Sequence, residues 1–168
     1  MGDILGKFVV ILFGTMFLFF VPLTIIALKQ DNAAQSYINN TVVEFVDNAR
    51  ASGRISPEAY EKMCSKVFAA HSHCRIELYH GAKYSIPNGT GEFINGSEYY
   101  KTDEILTKMG YGTNTVRDYE LKEGDYIKVI VNNESPTLGG ALVSAFVVGY
   151  DTSNLFVSYG GYVGNNIQ

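Results

Sequence analysis

Hydrophobic and polar positions divide the chain near residue 28. Phe8–Leu28 contains no charged residue, and as an α-helix it would be about 32 Å long at 1.5 Å per residue. The hydrocarbon core of a bilayer is about 30 Å thick, and a single segment satisfies its backbone hydrogen bonds there only as a helix. We therefore predict a transmembrane helix over residues 8–28, after a short stub of residues 1–7.

Two other interpretations of this segment are less favoured. A cleaved signal peptide has an apolar stretch of about 7–15 residues before a small-residue cleavage site, whereas this stretch is longer and only Ala33-Ala34 could serve as such a site. A helix from the core of a soluble protein is apolar along one stripe, whereas this one is apolar all round. A retained membrane anchor fits the pattern best.

The orientation of the predicted anchor in the membrane is argued from the lengths of chain on its two sides. Lys7 and Lys29 flank the segment, so the positive-inside rule gives nearly a tie. The short stub on one side and the large polar part on the other favour a single-pass protein of the cell membrane with its N-terminus inside and its C-terminal part outside. Residues 29–168 are then expected to form an extracytoplasmic domain.

A second pattern begins directly after the apolar segment. Apolar residues recur every three or four positions, which predicts an amphipathic helix over about 31–52 that continues the membrane helix without a break. Pro22 is expected to kink this long helix, and Gly53 to end it. The apolar stripe consists of Ala34, Ile38, Val42, Phe45 and Ala49.

Further elements follow at shorter intervals. Ser56 and Pro57 begin a second helix over about 57–70, antiparallel to the first. Alternation of apolar and polar residues predicts a strand over about 74–84, in which His80 shares a face with Ile76 and Leu78. We interpret residues 87–97, rich in Asn and Gly, as a loop.

The last part of the chain mixes helices and strands. We predict a short helix over 103–109 capped by Thr102, a turn over 121–125, a strand over 126–131, a short helix after Pro136 and a final strand over about 155–159. The fold class is therefore α+β, with a small antiparallel sheet. Ile38, Phe45 and Val46 are expected to dock this head on the long helix.

Charge and motifs exclude several functions. The net charge is −4, and no basic patch suggests nucleic-acid binding. No G-x-S-x-G, H-E-x-x-H, Walker or G-x-G-x-x-G motif occurs. We therefore expect no enzymatic activity, no cofactor and no metal.

Two cysteines and three histidines leave three alternatives open. Cys64 on the second helix and Cys74 at the start of the strand could form a disulfide, which an extracytoplasmic location favours. They could instead be free thiols, or bind zinc together with His71 and His73, although the paired C-x-x-C spacing is missing. The histidines are otherwise interpreted as exposed turn residues.

Tyrosines crowd the C-terminal part of the chain. Aromatic residues are enriched in contact surfaces, so they form a candidate contact surface, although they could equally cover an ordinary sheet. The residues concerned are Tyr99, Tyr100, Tyr111, Tyr159 and Tyr162.

The order of these segments resembles that of pilin-like proteins. Residues 41–60, TVVEFVDNARASGRISPEAY, are similar to the helical entry of TadE-like pseudopilins from bacterial tight-adherence pilus systems. Residues 123–131, EGDYIKVIV, resemble a strand of their heads, and residues 159–163, YGGYV, resemble their glycine-rich end. The glutamate that prepilins carry within the apolar segment has no counterpart in Phe8–Leu28.

The resemblance implies a structural role on the cell surface. The apolar helix would anchor the subunit in membrane lipid and later pack in the core of a pilus, with Gly14 and Pro22 as residues that adapt the helix to its neighbours. The implied partners are other pilin-like subunits and the pilus or secretion machinery. The alternative is a single-pass sensor or ligand-binding module.

Overall fold

The computed structural model describes residues 2–87, 93–113, 115–147 and 155–164. It confirms the α+β class, with a long N-terminal helix, three further helices in the described ranges and a small antiparallel sheet. The elements are α1 (Gly2–Ser52), β1 (Arg54–Ile55), α2 (Pro57–Ala70), β2 (Cys74–Pro87), β3 (Phe93–Lys101), α3 (Thr102–Met109), β4 (Tyr119–Glu120), β5 (Tyr126–Asn133), α4 (Leu138–Ser144) and β6 (Phe156–Tyr162).

Helix α1 joins the apolar segment to the head. It is 51 residues long and continues through Pro22, so the apolar and amphipathic segments are one helix of about 76 Å. Proline removes one hydrogen bond of the helix, but here it does not end the helix. The end comes at Gly53, whose φ of 65° lies in the left-handed region that glycine adopts without strain.

The main sheet has the strand order β3-β2-β5-β6, with all neighbours antiparallel. Leu78 of β2 lies opposite Val129 of β5, which lies opposite Tyr159 of β6. A separate two-stranded sheet pairs β1 with β4. This second sheet ties the turn after α1 to the chain ahead of β5.

The hydrophobic core lies between the C-terminal half of α1 and one face of the main sheet. Ile38, Val42 and Val46 of α1 are fully buried, and Phe45 is nearly so. Alternate residues of β5 are buried as well: Ile127, Val129 and Val131. The predicted docking of the head through Ile38, Phe45 and Val46 is consistent with this core.

Helices α2 and α3 lie where they were predicted, but the residue predicted to cap α3 does not do so. Ser56 Oγ accepts the backbone N–H of Ala59 at 3.2 Å, as an N-cap does. Thr102 does not cap α3, because it is the first residue of that helix. Its hydroxyl instead accepts the backbone N–H of Leu78 at 2.8 Å and ties α3 to β2.

The predicted loop over 87–97 was wrong in its second half. Strand β3 begins at Phe93 and pairs with β2 up to Lys101, while residues 88–92 lie outside the described ranges. Strand β2 also extends to Pro87, and β6 continues through Gly160 and Gly161. Backbone pairing with a neighbouring strand overrides the low strand propensity of Asn and Gly in these segments.

Candidate functional site

The N-terminal half of α1 is exposed along its length. Almost all of the large apolar side chains from Ile4 to Ile26 are about half exposed or more. In the most apolar 18-residue segment of the helix, no residue is buried. The helix is long and apolar enough to cross a membrane. Gly14 lies on this bare helix, and outside its chain neighbours and the local helix backbone no atom lies within 4 Å of the position that a Cβ would occupy.

Helix α4 lies against α1 where the apolar half ends. The backbone N–H of Gly139 donates to Asp31 Oδ2 at 2.9 Å. A Cβ on Gly139 would approach the Leu28 backbone nitrogen to 2.9 Å, so only glycine permits this close contact. Farther along, the ring of Phe146 meets that of Phe20 edge-on, with centroids 4.8 Å apart. The segment from α4 to Phe146 therefore runs back along α1 toward its N-terminus.

A polar cluster is buried on the head, centred on His80 of β2. Its Nε2 lies 2.9 Å from Asp125 Oδ2, and its Nδ1 lies 2.8 Å from the Tyr119 hydroxyl. An imidazole with its proton on Nε2 satisfies both contacts, donating to the carboxylate and accepting from the tyrosine. The Asp125 carboxylate also accepts the backbone N–H groups of Lys83 and Lys122, at 3.1 and 2.8 Å.

This environment changes the ionisation of two members of the cluster. Burial acts to raise the pKa of Asp125, but the hydrogen bonds from the Lys122 N–H, from His80 and from the Lys83 N–H together hold that pKa below its usual value. Burial raises the pKa of Tyr119 to about 12, with nearby acidic groups adding to the effect. Tyr119 therefore stays a hydroxyl donor at neutral pH.

A cavity of about 650 Å³ opens beside this cluster. Several of its charged groups have partners within the chain: Asp118 pairs with Arg54 at 3.2 Å, and Lys108 Nζ lies 3.3 Å from the ring centroid of Tyr100. Acidic and basic residues are evenly balanced, so the cavity has no strong preference for anions or cations. Its charged lining residues are Lys83, Glu98, Lys108, Arg117, Asp118, Glu120, Lys122 and Asp125.

The two cysteines are free thiols in this structure, which is one of the three alternatives that the sequence leaves open. Cys74 is buried and Cys64 partly so, and burial raises the pKa of both thiols, which lowers their reactivity. Within the described ranges, no group of three His, Cys, Asp or Glu side chains is arranged to hold a metal ion.

The turn-residue interpretation was wrong for His80, which is buried within β2. His73 is exposed and its Nδ1 lies 2.9 Å from the hydroxyl of Ser72. His71, which follows α2, has a buried Nε2 without a hydrogen-bond partner among the described residues. His71 and His73 therefore do lie in the turn between α2 and β2.

The structure does not bring the five tyrosines together. Tyr99 is on β3 and Tyr162 on β6, at opposite edges of the main sheet, and both side chains are exposed. The exposed ring of Tyr162 also packs against Tyr126, with centroids 5.0 Å apart. The other three make polar or stacking contacts inside the chain. Tyr100 stacks on His80, and the hydroxyls of Tyr111 and Tyr159 donate to Glu61 and Asp47. Tyr99 and Tyr162 are the members that remain accessible for a partner.

Sequence reasoning missed the His80 cluster, although one signal for it was present. Alternation along β2 placed His80 on the same face as Leu78, which is the buried face. Asp125 was interpreted as an ordinary turn residue, and nothing local indicates that it reaches His80 across 45 positions of sequence. A buried ring with two polar nitrogens needs partners, and only the fold identifies them.

Comparisons with known proteins add no family to this picture. No protein-family model, no curated protein and no solved structure matches the chain.

Proposed function

We propose that this chain is a membrane-anchored, pilin-like structural subunit of a bacterial surface filament or secretion apparatus. The observation that supports the proposal most is α1 itself. One helix has an exposed apolar N-terminal half and a C-terminal half that forms the central element of the head's core. No loop separates the two halves.

The physical argument concerns what can cover the bare half. A helix that is apolar all round is stable in lipid and equally stable among identical neighbours. Large apolar side chains such as Phe8, Leu18 and Phe19 are exposed to about the same degree, so the head, which contacts Phe20 in this half of the helix, leaves most of it bare. Gly14 allows a neighbouring helix to approach closely. The same segment can therefore hold the subunit in a membrane and later form part of a filament core.

The cavity beside His80 favours a second candidate, a ligand-binding head on a membrane anchor. Its size is in the range of small-molecule sites. Ligand sites usually combine apolar walls with a few unpaired polar groups, whereas here the buried polar groups bond to one another. We therefore interpret the cluster as a structural support for the sheet and prefer the first candidate.

The test uses the full-length chain produced in bacteria together with its neighbouring genes. Membranes are extracted with alkaline carbonate, and sheared surface material is examined by electron microscopy and mass spectrometry. We expect the chain to resist carbonate extraction and to occur in sheared filaments. A Gly14→Cys variant, made with Cys64 and Cys74 replaced by serine, should form oxidised dimers within these filaments.

A Lys101→Cys variant in the same background is the matched control, since Lys101 is exposed on the head and should cross-link less. Extraction of the chain by carbonate would overturn the anchor. A carbonate-resistant chain that never enters sheared material and never cross-links through Gly14→Cys would overturn the filament role and favour the ligand-binding candidate.

A further inference from the structure

A second apolar surface lies beside α1 at the level of its bare half. Val143 and the turn that follows α4 line a groove with Phe20 and Ile25 of α1, and its surface is almost wholly apolar. Leu138, Phe146 and Val147 are about half exposed or more. No charged residue occurs between Glu134 and Asp151.

The position of this segment along α1 is fixed by contacts at both of its ends. Gly139 contacts Leu28 and Asp31, while Phe146 contacts Phe20. Phe20 is eight positions before Leu28, which corresponds to about 12 Å along a helix. If α1 spans the bilayer up to about Leu28, Phe146 and Val147 lie well below the membrane surface.

We propose that α4 and the following turn, residues 138–147, are embedded in the outer part of the bilayer beside α1. The occupant of this surface is lipid hydrocarbon, because the surface is continuous with the apolar half of α1 and lies at the same depth. The inference rests on the membrane anchoring in the proposed function. It adds a second membrane contact, made by the head.

The contacts between α4 and α1 suit this location. The exposed backbone N–H groups at the start of a helix are costly in an apolar medium. Here Asp31 Oδ2 accepts the N–H of Gly139, and the Thr137 hydroxyl accepts that of Gly140 at 3.1 Å. The polar start of α4 is thus satisfied near Asp31, and the segment that goes deeper is apolar.

The absence of tryptophan from the chain permits a direct test. Single-tryptophan variants Phe146→Trp and Val147→Trp of the full chain are placed in nanodiscs at one chain per disc, and quenching by acyl-chain-brominated phosphatidylcholine is measured. Phe13→Trp is the reference within the predicted span. Tyr99→Trp is the aqueous control, since Tyr99 is exposed and lies at the end of the sheet away from the bare half of α1. The register runs across the strands from Tyr99 to Gly81, from Gly81 to Tyr126 and from Tyr126 to Tyr162. The Tyr162 carbonyl oxygen accepts a hydrogen bond from Arg50 at the far end of α1.

We expect both variants to show a blue-shifted emission and a large loss of fluorescence on bromination, as Phe13→Trp does, while Tyr99→Trp is unaffected. The Val147→Trp variant keeps the Phe20–Phe146 contact, so its result stands if Phe146→Trp disturbs the packing. Quenching of Phe13→Trp alone would overturn the inference and leave the anchor intact. No quenching of Phe13→Trp would overturn the anchor itself.

A second copy of the chain is the competing occupant. In that case residues 146 and 147 would be unquenched and solvent-exposed at one chain per disc. They would become protected only when several chains share a disc, and that outcome too would overturn the inference.

Discussion

Nε2 of His80 lies 2.9 Å from Oδ2 of Asp125, and the two side chains are only 4% and 2% exposed. Such a pair is costly to remove from water, and its stability depends on the other hydrogen bonds that each partner makes. Asp125 has three donors around it, and His80 has Tyr119 at its other nitrogen. The cluster therefore links β2, the start of β4 and the turn before β5.

Asp125→Asn should destabilise the head. The amide keeps the size of the side chain but loses the negative charge, and its NH₂ group faces donors, so we expect a loss of about 2–4 kcal/mol in unfolding free energy. Urea unfolding of the full chain in detergent, followed by circular dichroism, measures this loss. Asp103→Asn is the control, because Asp103 is exposed in the first turn of α3 and should cost well under about 1 kcal/mol. Equal losses for the two variants would contradict the role of the cluster.

The same carboxylate should make stability depend on acid pH. The folded-state pKa of Asp125 is below its usual value, so the folded state favours the charged form. Its stabilisation is complete above the titration range of an unfolded Asp, near pH 4, and is lost as the pH falls through the lower folded pKa. Urea midpoints between pH 6 and pH 2 should fall more steeply for the unaltered chain than for Asp125→Asn. Parallel curves would show that another group dominates.

Ile38→Ala should weaken the docking of the head on α1. Ile38 is fully buried, and a substitution of this kind leaves a cavity and costs about 2–5 kcal/mol. Ile26→Ala is the matched control on the same helix, because Ile26 is 62% exposed. We expect urea unfolding of the head to shift for the first variant and to stay nearly unchanged for the second. A similar shift for both would place the core elsewhere on α1.

Gly139→Ala should separate α4 from α1. The added methyl group would lie 2.5 Å from Asp31 Oδ2 and 2.9 Å from the Leu28 backbone nitrogen, and overpacking of this kind costs about 1–3 kcal/mol. Hydrogen exchange measured by mass spectrometry should show faster exchange across α4. Gly14→Ala is the control, since nothing lies within 4 Å of its Cβ position. Unchanged exchange in α4 would mean that α1 and α4 accommodate the methyl group without loss of stability.

Both cysteines should be reduced and slow to react. Burial raises the pKa of each thiol, so little thiolate is present near pH 8 and access is restricted. We expect iodoacetamide to label the native full chain much more slowly than the urea-unfolded chain, with two labels per unfolded molecule without any reductant. An intact mass that is lower than that of the dithiol chain by two hydrogen atoms, with no labelling of the unfolded chain, would instead establish the disulfide between Cys64 and Cys74.

The elements that could be predicted from sequence are those whose signals are local. The apolar segment, the stripe of α1 and the caps of α2 depend on spacing along one helix, and the alternation in β5 depends on one strand. Helix α2 was predicted at its observed bounds, Pro57–Ala70. In these segments periodicity and capping agree with the final fold.

The parts that could not be predicted depend on pairing between distant segments. Strand β3 contains Asn and Gly and is fixed by its pairing with β2, while β1 and β4 are two residues each and exist only as partners. The contact of Phe146 with Phe20 joins residues that are 126 positions apart in the sequence. Neither residue carries any local sign of the other, so such contacts appear only once the fold is known.

The continuity of α1 has a mechanical consequence. Because Leu28 and Ile38 belong to the same helix, the head cannot swivel on a tether. Any tilt of the apolar half is passed to the head, and a shift of one residue in the packing of that half turns the head by about 100° around the helix axis. In the proposed membrane or filament location, the direction in which the head faces would thus be decided by the packing of the apolar half of α1.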